Sequence, residues 1–227
     1  MTTRTRMPTR LFNVDEYYAM ADAGILTEDE HLELIDGRIY SRYEGKPRLF
    51  SVDEYYAMAG AGILASDERV ELIHGEIIPM SPIGSRHAST VYSLDYWFSD
   101  QLRQRAHVRV QSPVRLGSSS EPEPDVAILK WRDDFYSSAH PGPDDILLII
   151  EVCDTTLESD RAEKVPLYAR FGIPETWLAN IRERHVEVFS QPSDGEYLNS
   201  RIVGLGEVLT LPGFEDVSLP VNRIFPD

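Results

Sequence analysis

Pro124-Asp125-Val126-Ala127-Ile128-Leu129-Lys130 places an acid at the head of an apolar run, and Ile146-Leu147-Leu148-Ile149-Ile150-Glu151-Val152 places a second acid at the tail of another. Short apolar, β-branched runs bounded by turn residues read as buried strands. Pro122 and Pro124 bound the first run, and Pro141-Gly142-Pro143 precedes the second. A carboxylate in such a run is costly unless it is paired or binds a cation. If the two strands are neighbours, Asp125 and Glu151 converge on one edge of a sheet. Asp160-Arg161-Ala162-Glu163-Lys164 follows in a predicted helix and adds a lysine.

Two carboxylates and a lysine in this order suggest metal-dependent phosphodiester hydrolysis. Mg²⁺ is held by one or two carboxylates together with waters and phosphate oxygens. Lys164 would then supply a point charge near the phosphate or the attacking water. Each residue alone has an ordinary reading. An Asp after Pro is commonly a turn residue, a Glu at a strand end commonly meets solvent, and Asp160 with Lys164 makes a routine i, i+4 helix pair. The ordered set is more specific than any of its members. His87 stands at the start of another predicted helix, where it either packs as a helix-end residue or contacts a phosphate or the metal-bound water.

Pro124-Asp125 followed by Glu151-Val152-Cys153 resembles the PD-(D/E)xK restriction-endonuclease-like superfamily. In that pattern the lysine stands two residues after the second acid, a place held here by Cys153. A closer resemblance is to the restriction-endonuclease family called Uma-two. It is carried by Glu71-Leu72-Ile73, Met80-Ser81-Pro82, Arg86-His87, Pro124-Asp125, Glu151-Val152, Asp160-Arg161, Lys164, Leu167-Tyr168-Ala169, Gly172-Ile173-Pro174-Glu175 and Trp177-Leu178. The resemblance implies an α/β fold of restriction-endonuclease type, a central mixed sheet flanked by helices, with the lysine moved to the helix as Lys164. It also implies Glu71 as a third acid, so that Glu71, Asp125 and Glu151 hold Mg²⁺, for which Mn²⁺ could substitute. Lys164 and His87 complete the implied catalytic set. DNA is the implied substrate. A homodimer is expected, because a double-strand cut generally needs two sites.

The composition of the 227 residues is that of a globular protein with a sizeable core. The single cysteine, Cys153, excludes an intramolecular disulfide, and its buried run makes it a small core residue rather than a nucleophile. Arg4, Arg6 and Arg10 are not followed by the apolar segment of a secretory signal. No apolar run approaches membrane-spanning length, so a cytoplasmic protein is expected. The formal charge of −16 is awkward for a nuclease, because phosphate neutralisation dominates affinity for nucleic acid. Lysine occurs only at positions 46, 130 and 164. Arg103, Arg105, Arg109 and Arg115 are the candidate phosphate-facing patch, against the plainer reading of a solvated helix end and strand.

Residues 10–39 recur at 48–77 with a constant offset of 38. Both copies contain Val-Asp-Glu-Tyr-Tyr-Ala-Met-Ala, Ala-Gly-Ile-Leu and Glu-Leu-Ile-x-Gly, read as a helix, a glycine turn and a strand entering a tight turn. Residues 1–47 are therefore expected to form a duplicated element with its linker, and residues 48–227 the nuclease-like domain. The first copy is expected to bury Leu11, Val14, Tyr17, Tyr18, Ile25 and Leu26, either on the body or against a partner chain. After the second copy come a helix at 86–105 burying Val91, Leu94, Trp97, Phe98 and Leu102, and strands near 107–116, 124–130 and 146–152. A helix near 158–170 bent by Pro166, strands near 175–180 and 185–190, and a strand-rich tail complete the chain. Two functions fit: a Mg²⁺-dependent DNA endonuclease, or a binding protein that keeps the nuclease fold without turnover. A hydrolase of small phosphate esters is a third, weaker fit.

Overall fold

The computed structural model describes residues 7–225, so Arg4 and Arg6 lie outside the described residues. The chain divides into two compact units, one of Pro8–Ser81 with Leu116–Pro122, the other containing Pro82–Arg115 and Glu123–Asp227. Both sequence copies lie in the first unit, so the line drawn at residue 47 and the line between compact units are different lines.

In the first unit each copy is a helix followed by a hairpin: α1 (Val14–Asp22), β1 (Leu32–Ile35) and β2 (Arg38–Ser41), then α2 (Val52–Gly60), β3 (Val70–Ile73) and β4 (Glu76–Pro79). Both helices start on capping boxes, Asn13 with Glu16 and Ser51 with Glu54, which satisfy otherwise orphaned backbone N–H groups. The hairpins turn through Asp36-Gly37 and His74-Gly75, all four at positive φ, the geometry of a two-residue turn matched to strand twist. A side chain at Gly37 would come within 2.8 Å of Leu11 Cβ, and one at Gly75 within 2.7 Å of Leu49 Cβ. Met20, Ile25, Leu26 and Ile39 of one copy share a core with Val52, Met58, Ile63, Leu64, Leu72 and Ile77 of the other. Leu11, Val14 and Tyr18 depart from the expected burial, being 57%, 58% and 63% exposed. The equivalent of Val14 in the second copy, Val52, is covered: its N–H donates to the Ser118 carbonyl at 2.8 Å, in the Leu116–Pro122 segment.

The second unit is a mixed sheet with helices packed on it, as expected of the fold class. Its elements are α3 (Ser85–Gln101), β5 (Ala106–Val110), β6 (Val126–Lys130), β7 (Ile146–Cys153), α4 (Leu157–Ser159), a π turn (Asp160–Lys164), α5 (Val165–Arg170), β8 (Glu175–Asn180), β9 (His185–Ser193), β10 (Glu196–Val203), β11 (Val208–Leu211) and β12 (Phe214–Pro220). Six strands run in the order β10-β9-β8-β7-β6-β5, antiparallel except for the β7–β8 pair. A parallel pair needs a crossover, and residues 157–170 supply it. Strand alternation divides β7 between two layers. Leu148, Ile150 and Val152 join Val91, Leu94, Phe98 and Leu102 of the α3 region in the main core, whereas Cys153 packs with Val165 and Leu178. Glu151 shares the face of Cys153, so it points toward the layer of the crossover helix. The strand expected at 107–116 ends at Val110, and residues 116–122 belong to the other unit. No helix among the described residues is long and apolar enough to cross a membrane.

Candidate active site

The β6–β7 register pairs Val126 with Ile150, and one step outward sets Asp125 opposite Glu151. Residues directly opposite in an antiparallel pair project to the same face, so the register puts the two acids on one face where β6 begins and β7 is ending. Asp125 extends the ladder with its side chain: the Val152 N–H donates to Asp125 Oδ2 at 2.8 Å. His87, in the first turn of α3, places Nε2 3.0 Å from the same oxygen. The Gln111 amide reaches Oδ1 at 3.4 Å. His87 thus faces Asp125 from the first turn of α3.

Glu151 is 3% exposed, and its Oε1 accepts from the Tyr168 hydroxyl at 2.5 Å. Lys164 Nζ lies 3.3 Å from the same oxygen and is itself buried. A buried carboxylate stays ionised only where opposite charge and donors compensate its desolvation, and Lys164 and Tyr168 are such groups. Lys164 ends the π turn, a wider turn that recurs at functional sites inside helices. Pro166 follows two residues later and cannot donate to the carbonyl of residue 162, so a regular α-helical ladder is interrupted at this point. The expected bend at Pro166 takes the form of this π turn.

Asp160 and Cys153 lie beside the pair. The Cys153 thiol donates to Asp160 Oδ2 at 3.4 Å. Burial pushes the thiol well above its ordinary range, and the negative fields of Asp160 and Glu151 push the same way. Burial also raises the Asp160 carboxyl, opposed by the positive charge of Lys164. Arg161 points elsewhere: it clamps the crossover to β9 through a bidentate pair with Glu187 and to Glu158 at 2.5 Å.

Sequence reasoning names Asp125, Glu151, Lys164 and His87, and the structure brings these four together within one compact unit. It passes over Tyr168 as part of a motif. The signal is present, because Tyr168 lies four residues after Lys164 and so near it on a helix. Glu71 is on β3 of the duplicated unit and is 4% exposed. Its equivalent Glu33 is half-exposed and lies 3.8 Å from Arg42. Two of the four patch arginines are paired with acids: Arg103 with Asp100 at 2.8 Å and Arg105 with Asp216 at 2.7 Å.

The donor set fits Mg²⁺ in one respect. Two facing carboxylates match an ion that keeps several waters and takes the rest of its shell from phosphate. Among the described residues, no three His, Cys, Asp or Glu side chains form a ready metal cage. The two strand acids are the residues that could hold such an ion, with solvent and substrate needed for its other positions.

A family model described as "Uma2: Putative restriction endonuclease" matches residues 52–222. Among solved structures, one described as a "putative nuclease belonging to DUF820" from Anabaena variabilis ATCC 29413 aligns with a TM-score of 0.62. That alignment covers 78% of this chain and 97% of the other at 15% identity, a likeness of fold. No curated protein matches the chain. The family match starts at α2, leaves the first copy outside, and takes in Glu71, His87, Asp125, Glu151, Lys164 and all six strands of the main sheet. Spanning that much of the sequence and every element that builds the site, it establishes that the chain belongs to the Uma2 family.

Proposed function

We propose that this protein is a Mg²⁺-dependent endonuclease that hydrolyses DNA phosphodiester bonds. The observation that carries the reading is the facing pair Asp125 and Glu151 with a buried lysine 3.3 Å from the second acid. Asp125 and Glu151 would hold the ion, with Glu71 as the third acid and Mn²⁺ as a substitute. Held there, such an ion would supply Lewis-acid polarisation of the phosphoryl oxygen and a more acidic water. Lys164 Nζ stabilises negative charge as it develops on the phosphate. Tyr168 fixes the Glu151 carboxylate through its hydroxyl. His87 orients Asp125 by donating its Nε2–H to the carboxylate. Nuclease action also fits the descriptions of the family and of the similar structure. The reading includes a cytoplasmic location and a homodimer that cuts both strands.

A second reading, a nuclease-fold binding protein without turnover, draws on the charge of −16 and on arginines already paired with acids. Incubation of supercoiled, linear and single-stranded DNA with Mg²⁺ or Mn²⁺ separates the two. Cleavage lost on chelation supports the enzyme, and intact DNA in every form with Mn²⁺ bound supports the binding protein.

The duplication provides its own test of the third acid. Glu71→Gln is expected to weaken Mn²⁺ binding about tenfold or more, as loss of one anionic ligand would, while Glu33→Gln leaves it unchanged. Isothermal titration of both variants checks this, and damage from Glu33→Gln alone would exclude Glu71.

A further inference from the structure

The two copies are joined by contacts that repeat themselves when the offset of 38 is applied. The Arg10 N–H donates to the Ile77 carbonyl at 2.7 Å, and the Arg48 N–H donates to the Ile39 carbonyl at 2.8 Å. Arg10 Nε meets Glu68 at 2.6 Å, and Arg48 Nε meets Glu30 at 3.0 Å. Arg10 also reaches the Ile63 carbonyl at 3.2 Å, matched by Arg48 on the Ile25 carbonyl at 3.3 Å. Each guanidinium additionally holds the capping glutamate of its own copy, Glu16 or Glu54, and lies 4.8 Å over its own phenylalanine ring. Phe12 and Phe50 meet edge to face at 5.9 Å, where the two sets join.

Contacts in which i meets j and the equivalent of j meets the equivalent of i define an isologous interface, the kind that closes a twofold dimer. Here both halves belong to one chain. The surface of the second copy is therefore self-complementary: it carries Arg48, Phe50 and Glu68, the same groups that it receives from the first copy as Arg10, Phe12 and Glu30. The copies differ elsewhere. On the second copy Leu116–Pro122 is bonded along the hairpin and helix start, through Val52 N–H to Ser118 at 2.8 Å, Gly75 N–H to Ser119 at 2.6 Å and Glu121 N–H to Leu72 at 2.7 Å. The equivalent positions of the first copy are open, with Val14 58% exposed against 0% for Val52, and Ile35 47% against 4% for Ile73. The first copy has kept the pairing face, whereas the face that holds the Leu116–Pro122 segment on the second copy is open on the first.

We propose that the first copy is a covalently attached partner, filling a self-complementary face of the second copy that would otherwise receive the second copy of another chain. The pairing is intramolecular, so this face is closed to homodimerisation in the intact protein. Any dimer of the intact chain uses a different surface.

The test uses full-length protein. Blunting the first copy with Arg10→Glu, Phe12→Ala and Glu30→Arg frees Arg48, Phe50 and Glu68 to meet their twins. Light scattering is expected to show a twofold gain in mass over wild type that reverses on dilution, and adding Arg48→Glu is expected to remove it. A blunted chain that is folded by circular dichroism yet keeps the wild-type mass overturns the proposal. A second measurement does not depend on the triple variant: an Arg10→Ala and Glu68→Ala double-mutant cycle in otherwise native protein. It is expected to show coupling of about tenfold or more in the folding equilibrium, unchanged on hundredfold dilution. Absent coupling, or coupling that fades on dilution because the copies pair between chains, overturns the proposal as well.

Discussion

Asp125→Asn and Glu151→Gln are each expected to lower Mg²⁺-supported DNA cleavage by about 10²–10³-fold or more, the scale on which one preorganised electrostatic element contributes to a site. Both substitutions keep shape and remove the anionic ligand, so the loss reports charge rather than a cavity. Their effects on stability should differ. At position 125 an amide oxygen can still accept from the Val152 N–H and face His87, the contacts now made at 2.8 and 3.0 Å. At position 151 the change leaves Lys164 buried beside a neutral group, and breaking a buried ion pair on one side costs about 3–5 kcal/mol. Glu151→Gln is therefore expected to melt well below wild type, and Asp125→Asn close to it. Two acids at strand ends, read from sequence, suggest mutual repulsion that a substitution would relieve. The structure reverses that expectation for Glu151, because Lys164 and Tyr168 stand against its carboxylate. Wild-type cleavage by either purified variant would remove that acid from the site.

The strands at 124–130 and 146–152 were legible because buried strands are written as apolar runs with turn residues at their ends. The candidate pair was legible for a related reason: an acid in such a run needs a partner, so Asp125 and Glu151 stood out before any geometry was known. Antiparallel pairing of these strands is what sets the two acids opposite each other, and nothing in either run specifies their register. Helix periodicity correctly placed Val91, Leu94, Phe98 and Leu102 in the core, though it extended the helix to residue 105, beyond Gln101. The repeat was visible as a repeat, but its reciprocal pairing was not. Arg10 to Glu68 spans 58 residues, and Arg48 to Glu30 spans 18 in the opposite direction. Only folded proximity shows these to be one contact made twice. The burial expected of Val14 failed for a similar reason, whereas Leu11 and Tyr18 are exposed as their counterparts Leu49 and Tyr56 are, at 54% and 45%. The counterpart of Val14, Val52, is bonded to Leu116–Pro122, a segment distant in sequence that follows the strand expected at 107–116.

Lys164→Met is expected to reduce cleavage by about 10²–10³-fold while leaving Mn²⁺ affinity within a few-fold of wild type, and Cys153→Ser is expected to change neither by more than about twofold. The two positions compete for one role, because Cys153 stands two residues after Glu151, where the PD-(D/E)xK pattern has its lysine. Strand alternation puts residues 151 and 153 on one face, so a lysine at 153 could in principle reach the site from the strand. In this chain the lysine beside Glu151 is on the crossover instead, with Lys164 Nζ 3.3 Å from Glu151 Oε1. Cys153 cannot replace it: burial, then the fields of Asp160 and Glu151, hold the thiol protonated and neutral. Its hydrogen bond to Asp160 at 3.4 Å is one a serine hydroxyl can also donate, so Cys153→Ser preserves the contact in a smaller group. Methionine at 164 matches the length of the lysine stem without its charge, and Tyr168 still donates to Glu151 at 2.5 Å, keeping that carboxylate in place for metal. Steady-state cleavage and Mn²⁺ titration on both variants measure the two quantities separately. Activity lost in Cys153→Ser and retained in Lys164→Met would return the reactive position to the strand, whereas the expected pattern places the cation on the helix and makes the π turn the device that delivers it.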